Sequence, residues 1–105
     1  MIYYHVTTKK ALSKIKKEGL QPQIGKRSKK IGEVFPAIYL FTTRDDMEDA
    51  ICNWLGEELE GDKTYALKID IPKGFPLDEG VQGEWEVRSY QMIPMEYVQA
   101  VEAID

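Results

Sequence analysis

Ile2-Tyr3-Tyr4-His5-Val6-Thr7-Thr8 runs directly into Lys9-Lys10-Ala11-Leu12-Ser13-Lys14-Ile15-Lys16-Lys17-Glu18-Gly19-Leu20, and the architecture hinges on that junction. Residues 2–6 read as a β-strand, rich in β-branched and aromatic side chains. Thr7 or Thr8 can then accept a hydrogen bond from the first free amides of a helix. Ala11, Leu12 and Ile15 recur at helical spacing while lysines occupy the other faces, which predicts a helix over 8–18. Gly19 suits the left-handed position that closes such a helix, Leu20 supplies the accompanying apolar contact, and Gln21-Pro22 stops any continuation.

Working outward, residues 23–34 lose all periodicity around Gly25, Gly32 and the basic run at 26–30, and read as a loop. A short apolar strand follows at 37–41, and Thr42-Thr43-Arg44-Asp45-Asp46 provides a cap and acidic residues for the positive end of a second helix. Met47, Ala50, Ile51, Trp54 and Leu55 form one apolar stripe, backed by Glu48, Asp49, Asn53, Glu57 and Glu58, with Gly61 at the exit. Tyr65, Leu67, Ile69 and Ile71 alternate with Ala66, Lys68 and Asp70 as a half-buried strand requires, and Pro72 ends it. A loop at 73–83 leads to a strand at 84–88, then Met92-Ile93-Pro94 and a last strand around 97–104. Helices near the front and strands alone at the back predict an α+β domain. No P-loop or dinucleotide GxGxxG is present.

The length of 105 residues suits one domain over 1–105, and 43% apolar and 10% aromatic residues suit a folded globule. No apolar run is long enough for a bilayer span and no signal-type segment opens the chain, so a cytoplasmic protein without a membrane partner is expected. One cysteine, Cys52, beside one histidine cannot build a structural zinc site of four protein ligands, and no metal is expected. The net charge of −4 is unevenly spread: residues 1–30 carry +8 and the remainder −12. A basic third of this kind suits a phosphate-bearing ligand or a nucleic acid, or a solvated helix face with a basic loop.

Three side-chain groups can carry chemistry. His5, the only histidine, stands near the end of a strand, where its imidazole and the Thr7 hydroxyl can hydrogen-bond a ribose. Tyr39 lies between Ile38 and Leu40, so alternation turns it to the opposite face, where it either buries its ring with a wet hydroxyl or stacks on a planar heterocycle. Glu84 and Glu86 are two apart on a strand and share a face, with Trp85 turned away. Two like charges facing a core are expensive, so that face is solvent or a ligand site. A fixed carboxylate beside an electron-poor sugar carbon stabilises an oxocarbenium-like transition state.

In this order and spacing the motifs resemble the ADP-ribosyltransferase superfamily, in a small form of bacterial or phage type. Tyr4-His5-Val6-Thr7 and Glu18-Gly19-Leu20 with Pro22 are similar to the family's first strand and its helix exit. Ala37-Ile38-Tyr39-Leu40 with the Ala50 and Trp54 helix is similar to its second motif. Glu84-Trp85-Glu86 with Ile93-Pro94-Met95-Glu96-Tyr97-Val98 is similar to the glutamate-bearing strand and its follow-on. The resemblance implies a split β-sheet holding NAD as substrate, and transfer of ADP-ribose to a macromolecular acceptor, a protein in preference to a nucleic acid. It implies that His5 and Thr7 hold a ribose, Tyr39 stacks on nicotinamide, Glu86 stabilises the cationic sugar and Glu84 orients the acceptor. Val6 stands where the family often has glycine. The alternative on the same fold is a non-catalytic module that binds an ADP-ribose-like nucleotide or a protein partner. A related RNA 2′-phosphotransferase activity needs several arginines, for which Arg27, Arg44 and Arg88 are the only candidates.

Overall fold

The computed structural model describes residues 1–22, 36–52, 63–78 and 86–104, and of Glu86 the backbone alone. Strand β1 (Ile2–Thr8) leads into helix α1 (Lys9–Glu18). Strand β2 (Ile38–Phe41) leads into helix α2 (Arg44–Ala50). Strands β3 (Thr64–Asp70), β4 (Glu86–Ser89) and β5 (Val98–Ala103) follow, with a short 3-10 turn, Met95–Tyr97, before the last. The five strands form one antiparallel sheet in the order β4-β2-β1-β3-β5, so the chain is a small α+β domain. No helix among the described residues is long and apolar enough to cross a membrane.

The helices start where side chains can cap them. The Thr8 hydroxyl accepts from the Ala11 amide at 3.2 Å, and the Thr43 hydroxyl from the Asp46 amide at 3.1 Å. Asp45 and Asp46 in the first turn of α2 also complement the positive end of its dipole. Of the stripe expected on this helix, Met47 and Ala50 are buried, while Trp54, Leu55, Asn53, Glu57, Glu58 and Gly61 lie outside the described residues. The loop read at 23–34 and its basic run also lie outside them.

Each helix covers a different face of the sheet. Leu12 and Ile15 of α1 pack with Tyr3, Ile38, Leu40, Leu67, Ile69, Val87 and Ile93, whereas Met47 and Ala50 of α2 pack with Val6, Phe41 and Ala66. This explains why β3 is more buried than simple alternation predicts. Ala66 sits on the face expected to be wet, yet α2 covers that end of the sheet, leaving only Lys68 and Asp70 exposed there.

The loop after Pro72 is not purely polar either. Phe75 and Leu77 pack against the α1-side core, and Phe75 meets Tyr97 edge to face at 6.1 Å. Asp78 then exchanges two backbone hydrogen bonds with Arg88, of 2.8 and 2.6 Å, along β4.

Gly19 fastens the first helix to the back of the chain. Its φ of 77° is open to glycine at little cost, its amide donates to Ile15 O at 2.8 Å, and Leu20 exchanges backbone bonds of 2.9 and 3.0 Å with Ile93. A Cβ at Gly19 would stand 2.7 Å from the Ile93 carbonyl oxygen and 2.9 Å from Met92 Sδ. The Gly19→Ala substitution therefore combines backbone strain with a backbone clash, and is expected to cost about 2–4 kcal/mol. A thermal melt should show Tm lowered by about 10–20 °C; a loss of only a degree or two would contradict this account of the junction.

Candidate functional site

The sequence-predicted residues fall on three neighbouring strands. His5 and Thr7 lie on β1, Tyr39 on β2 and Glu86 on β4, and these strands are consecutive in the sheet with β2 in the middle. Glu86 takes its backbone place opposite Phe41, and Arg88 opposite Tyr39. Glu84 lies outside the described residues.

The seam between β1 and β2 is unusual. On its other side β1 pairs with β3 through seven residues, from Ile2↔Asp70 to Thr8↔Thr64, whereas among the described residues it meets β2 at the one ladder pair Tyr4↔Phe41. A side chain supplements the missing ladder: His5 Nδ1 lies 2.8 Å from the Tyr39 carbonyl oxygen. A carbonyl oxygen only accepts, so Nδ1 carries the proton and donates.

Burial lowers the imidazole pKa to about 4, so the ring is neutral at pH 7. With Nδ1–H committed to Tyr39, Nε2 is left as an acceptor. An acceptor nitrogen at this position is chemically suited to a ribose hydroxyl, which must donate to it.

Strand alternation divides the candidate residues between the two faces. His5 and Thr7 share the side of Tyr3 and oppose Leu67 and Tyr65 on β3, which is the α1 face. Tyr39 alternates with Ile38 and Leu40, both of the α1-side core, and shares the side of Phe41, which is the α2 face. The register Tyr4↔Phe41 imposes this, because it sets odd-numbered residues of β2 beside even-numbered residues of β1. A ligand touching both the imidazole and the Tyr39 ring must therefore reach across the seam. Thr7 is 6% exposed, so its hydroxyl offers little open surface.

A second polar group stands at the register position of Tyr39: Arg88, from the sequence a candidate only for a phosphate site, joined by Asp78 and Tyr90, which the sequence did not single out. The Arg88 guanidinium is 3.1 Å from Asp78 Oδ2 and 5.6 Å from the Tyr90 ring centroid, and the Tyr90 hydroxyl donates to the same carboxylate oxygen at 2.9 Å. Asp78 sits in a loop of glycine, proline and acids with no periodicity, and only its backbone pairing with β4 reveals the connection. Arg44, the other described arginine, is held by Glu48 at 3.3 Å and Glu102 at 2.7 Å, tying α2 to β5, while Arg27 lies outside the described residues. An open cleft of about 300 Å³, lined by Asp70, Pro72, Glu96, Tyr97 and Gln99, lies at the Asp70 end of β3 and includes none of the sequence-predicted residues.

Comparison with protein-family models, with curated proteins and with solved structures finds no match to this chain.

The half-buried imidazole has a measurable signature. The folded ring resists protonation down to about pH 4, whereas an unfolded one accepts a proton near 6.5. Stability is thus complete above that upper value, falls as pH drops between the two, and levels off below the lower one. The part due to His5 is on the order of 3 kcal/mol, read as the difference between wild type and His5→Gln in denaturant titrations across that range. Because the chain has one histidine, its carbon-bound ring protons in NMR report the pKa directly. A midpoint near 6.5 would overturn the half-buried, neutral imidazole.

Proposed function

We propose that this chain is an NAD-dependent ADP-ribosyltransferase-like protein, acting on a macromolecular acceptor at the β1–β2 seam. The observation that carries the reading is the adjacency of β1, β2 and β4. Tyr4-His5-Val6-Thr7, Ile38-Tyr39-Leu40 and Glu86-Val87-Arg88 are scattered over some eighty residues of sequence, yet they occupy three consecutive strands, with His5 bonded to the Tyr39 backbone. The near-absence of ladder pairing at the seam supports a split sheet, and the contact of Leu20 with Ile93 joins two further segments on which the resemblance rests.

In this reading neutral His5 accepts from a ribose hydroxyl through Nε2, and Tyr39 provides a ring surface for nicotinamide. The bond between the ribose C1′ and the nicotinamide nitrogen breaks, nicotinamide leaves with the electron pair, and a nucleophile of the acceptor bonds to C1′ and gives up its proton. The Glu86 carboxylate stabilises the positive charge that builds on the sugar, and Glu84 orients the acceptor. An anion fixed beside developing positive charge acts mainly in the transition state, so its removal should lower kcat more than it raises KM.

A nucleotide-binding module without turnover is the second reading. It is favoured by the burial of Thr7 and by the placement of His5 and Tyr39 on opposite faces, which limits how many of these groups one small ligand touches directly. Calorimetric titration of NAD and chromatographic assay of released nicotinamide separate the two. The transferase reading expects binding in the micromolar to submillimolar range that His5→Ala abolishes, and a fall in kcat of about 100- to 1,000-fold in Glu86→Gln. Binding without nicotinamide release supports the module. Absence of NAD binding, or full activity in Glu86→Gln, overturns the transferase.

A further inference from the structure

The excess positive charge of the first thirty residues is not used by the NAD reading, and the structure shows how part of it is arranged. Helix α1 carries Lys9, Lys10, Lys14, Lys16 and Lys17 against one acid, Glu18, and all five lysines are exposed. Leu12 and Ile15 are the buried positions and face the sheet, so the lysines occupy the outward arc with Ser13 among them. None of the five forms an ion pair among the described residues.

Lys16 and Lys17 stand in the last turn, where they suit the negative end of the helix dipole, but helix physics does not ask for the lysines at the other end. Lys9 and Lys10 stand in the first turn, which has no acid, and there they oppose the positive end of the helix dipole. The same chain follows the opposite rule at α2, where Asp45 and Asp46 fill the first turn. Lys10 and Lys14, four apart on the surface, repel each other as well. Stability would be served by acids at the first-turn positions, so Lys9 and Lys10 are not placed by the needs of the helix.

We infer that the outward face of α1 is a docking surface for the phosphate backbone of a nucleic-acid duplex. Lys10, Lys14 and Lys17 form one row, seven residues from end to end, which covers about 10 Å of helix axis. A strand of duplex rises about 3.4 Å per phosphate, so the row spans the rise of about three phosphates. The helix has no aromatic residue to stack on an unpaired base, which favours a paired backbone over a single strand. It has no tryptophan, tyrosine or arginine of the kind that anchors a protein partner. Its apolar face is spent on the core, so it has no apolar surface to sink into a membrane. The helix starts four residues after His5, and the Lys9 amide donates to the Lys63 carbonyl at 2.8 Å, bringing a sixth lysine's backbone to the same end of the sheet. The inference does not depend on the NAD reading, and it departs from the preference for a protein acceptor.

The test is fluorescence anisotropy of the full chain with labelled DNA and RNA duplexes over a series of salt concentrations, beside sedimentation with anionic phospholipid vesicles. The wild type should bind at least one duplex at low salt, with log K falling linearly with log salt. The variant Lys10→Gln/Lys14→Gln/Lys17→Gln should bind at least tenfold more weakly, with a salt slope shallower by about three. Its Tm should stay within a few degrees of the wild type, because glutamine keeps helix propensity and the relief of Lys10–Lys14 repulsion offsets the loss of the last-turn cation Lys17, so a loss of binding cannot be ascribed to unfolding. An unchanged affinity and slope in the variant overturns the proposal. So does a wild type that binds no duplex, or one that sediments with vesicles and ignores both duplexes. Failure to bind NAD leaves it untouched.

Discussion

Strand β1 is the element on which the rest depends. It lies in the middle of the sheet, zipped to β3 along its whole length on one side and joined to β2 by one ladder pair and a histidine ring on the other. Backbone groups that are buried must find partners, and where the β1–β2 ladder stops the imidazole supplies one for the Tyr39 carbonyl. That bond fixes the tautomer of His5 and adds a side-chain link between β1 and β2 within the one sheet. The ring is neutral because it is desolvated, and its neutrality is what gives it an acceptor nitrogen to offer.

Around that centre the structure is held by contacts between distant parts of the chain. Gly19 and Leu20 meet Met92 and Ile93, so the end of the first helix closes on the segment after the glutamate-bearing strand. Asp78 closes along β4, and its carboxylate holds Arg88 and Tyr90 next to the register position of Tyr39. The two faces of the sheet are covered by different helices, so the buried residues of β1, β2 and β3 divide between two cores. This two-sided arrangement makes a site at the seam depend on both faces at once, with His5 and Thr7 on one and Tyr39 on the other.

Charge follows a separate logic. The acidic first turn of α2 stabilises its own helix, whereas the basic first turn of α1 works against its helix. The Lys26–Lys30 run lacks aromatic neighbours, and from the sequence that ranks nucleic acid below protein as a partner. The inference of a duplex-docking face on α1 rests instead on the exposed arc of the helix, because a regular row of cations is a property of the folded helix and not of the composition.

Local chemistry in the sequence determined the elements themselves. Thr8 and Thr43 cap because a hydroxyl can reach an amide three residues on, Gly19 ends α1 because its backbone tolerates a positive φ, and the strands at Tyr65 and Tyr39 follow from alternation, all interactions within a few residues of each other. The five candidate side chains were legible as residue types on strands. Their mutual geometry was not, since face and adjacency are set by pairing register, and nothing in the separate segments states that Tyr4 stands opposite Phe41 or that β2 lies between β1 and β4. Likewise the burial of Ala66, the tuck of Phe75 and the hold of Asp78 on Arg88 arise only when distant segments compete for the same buried surface. Residue types along the chain set which groups could bond and stack, and the fold set which of them meet, because strand order and register are global properties of hydrogen bonding and packing.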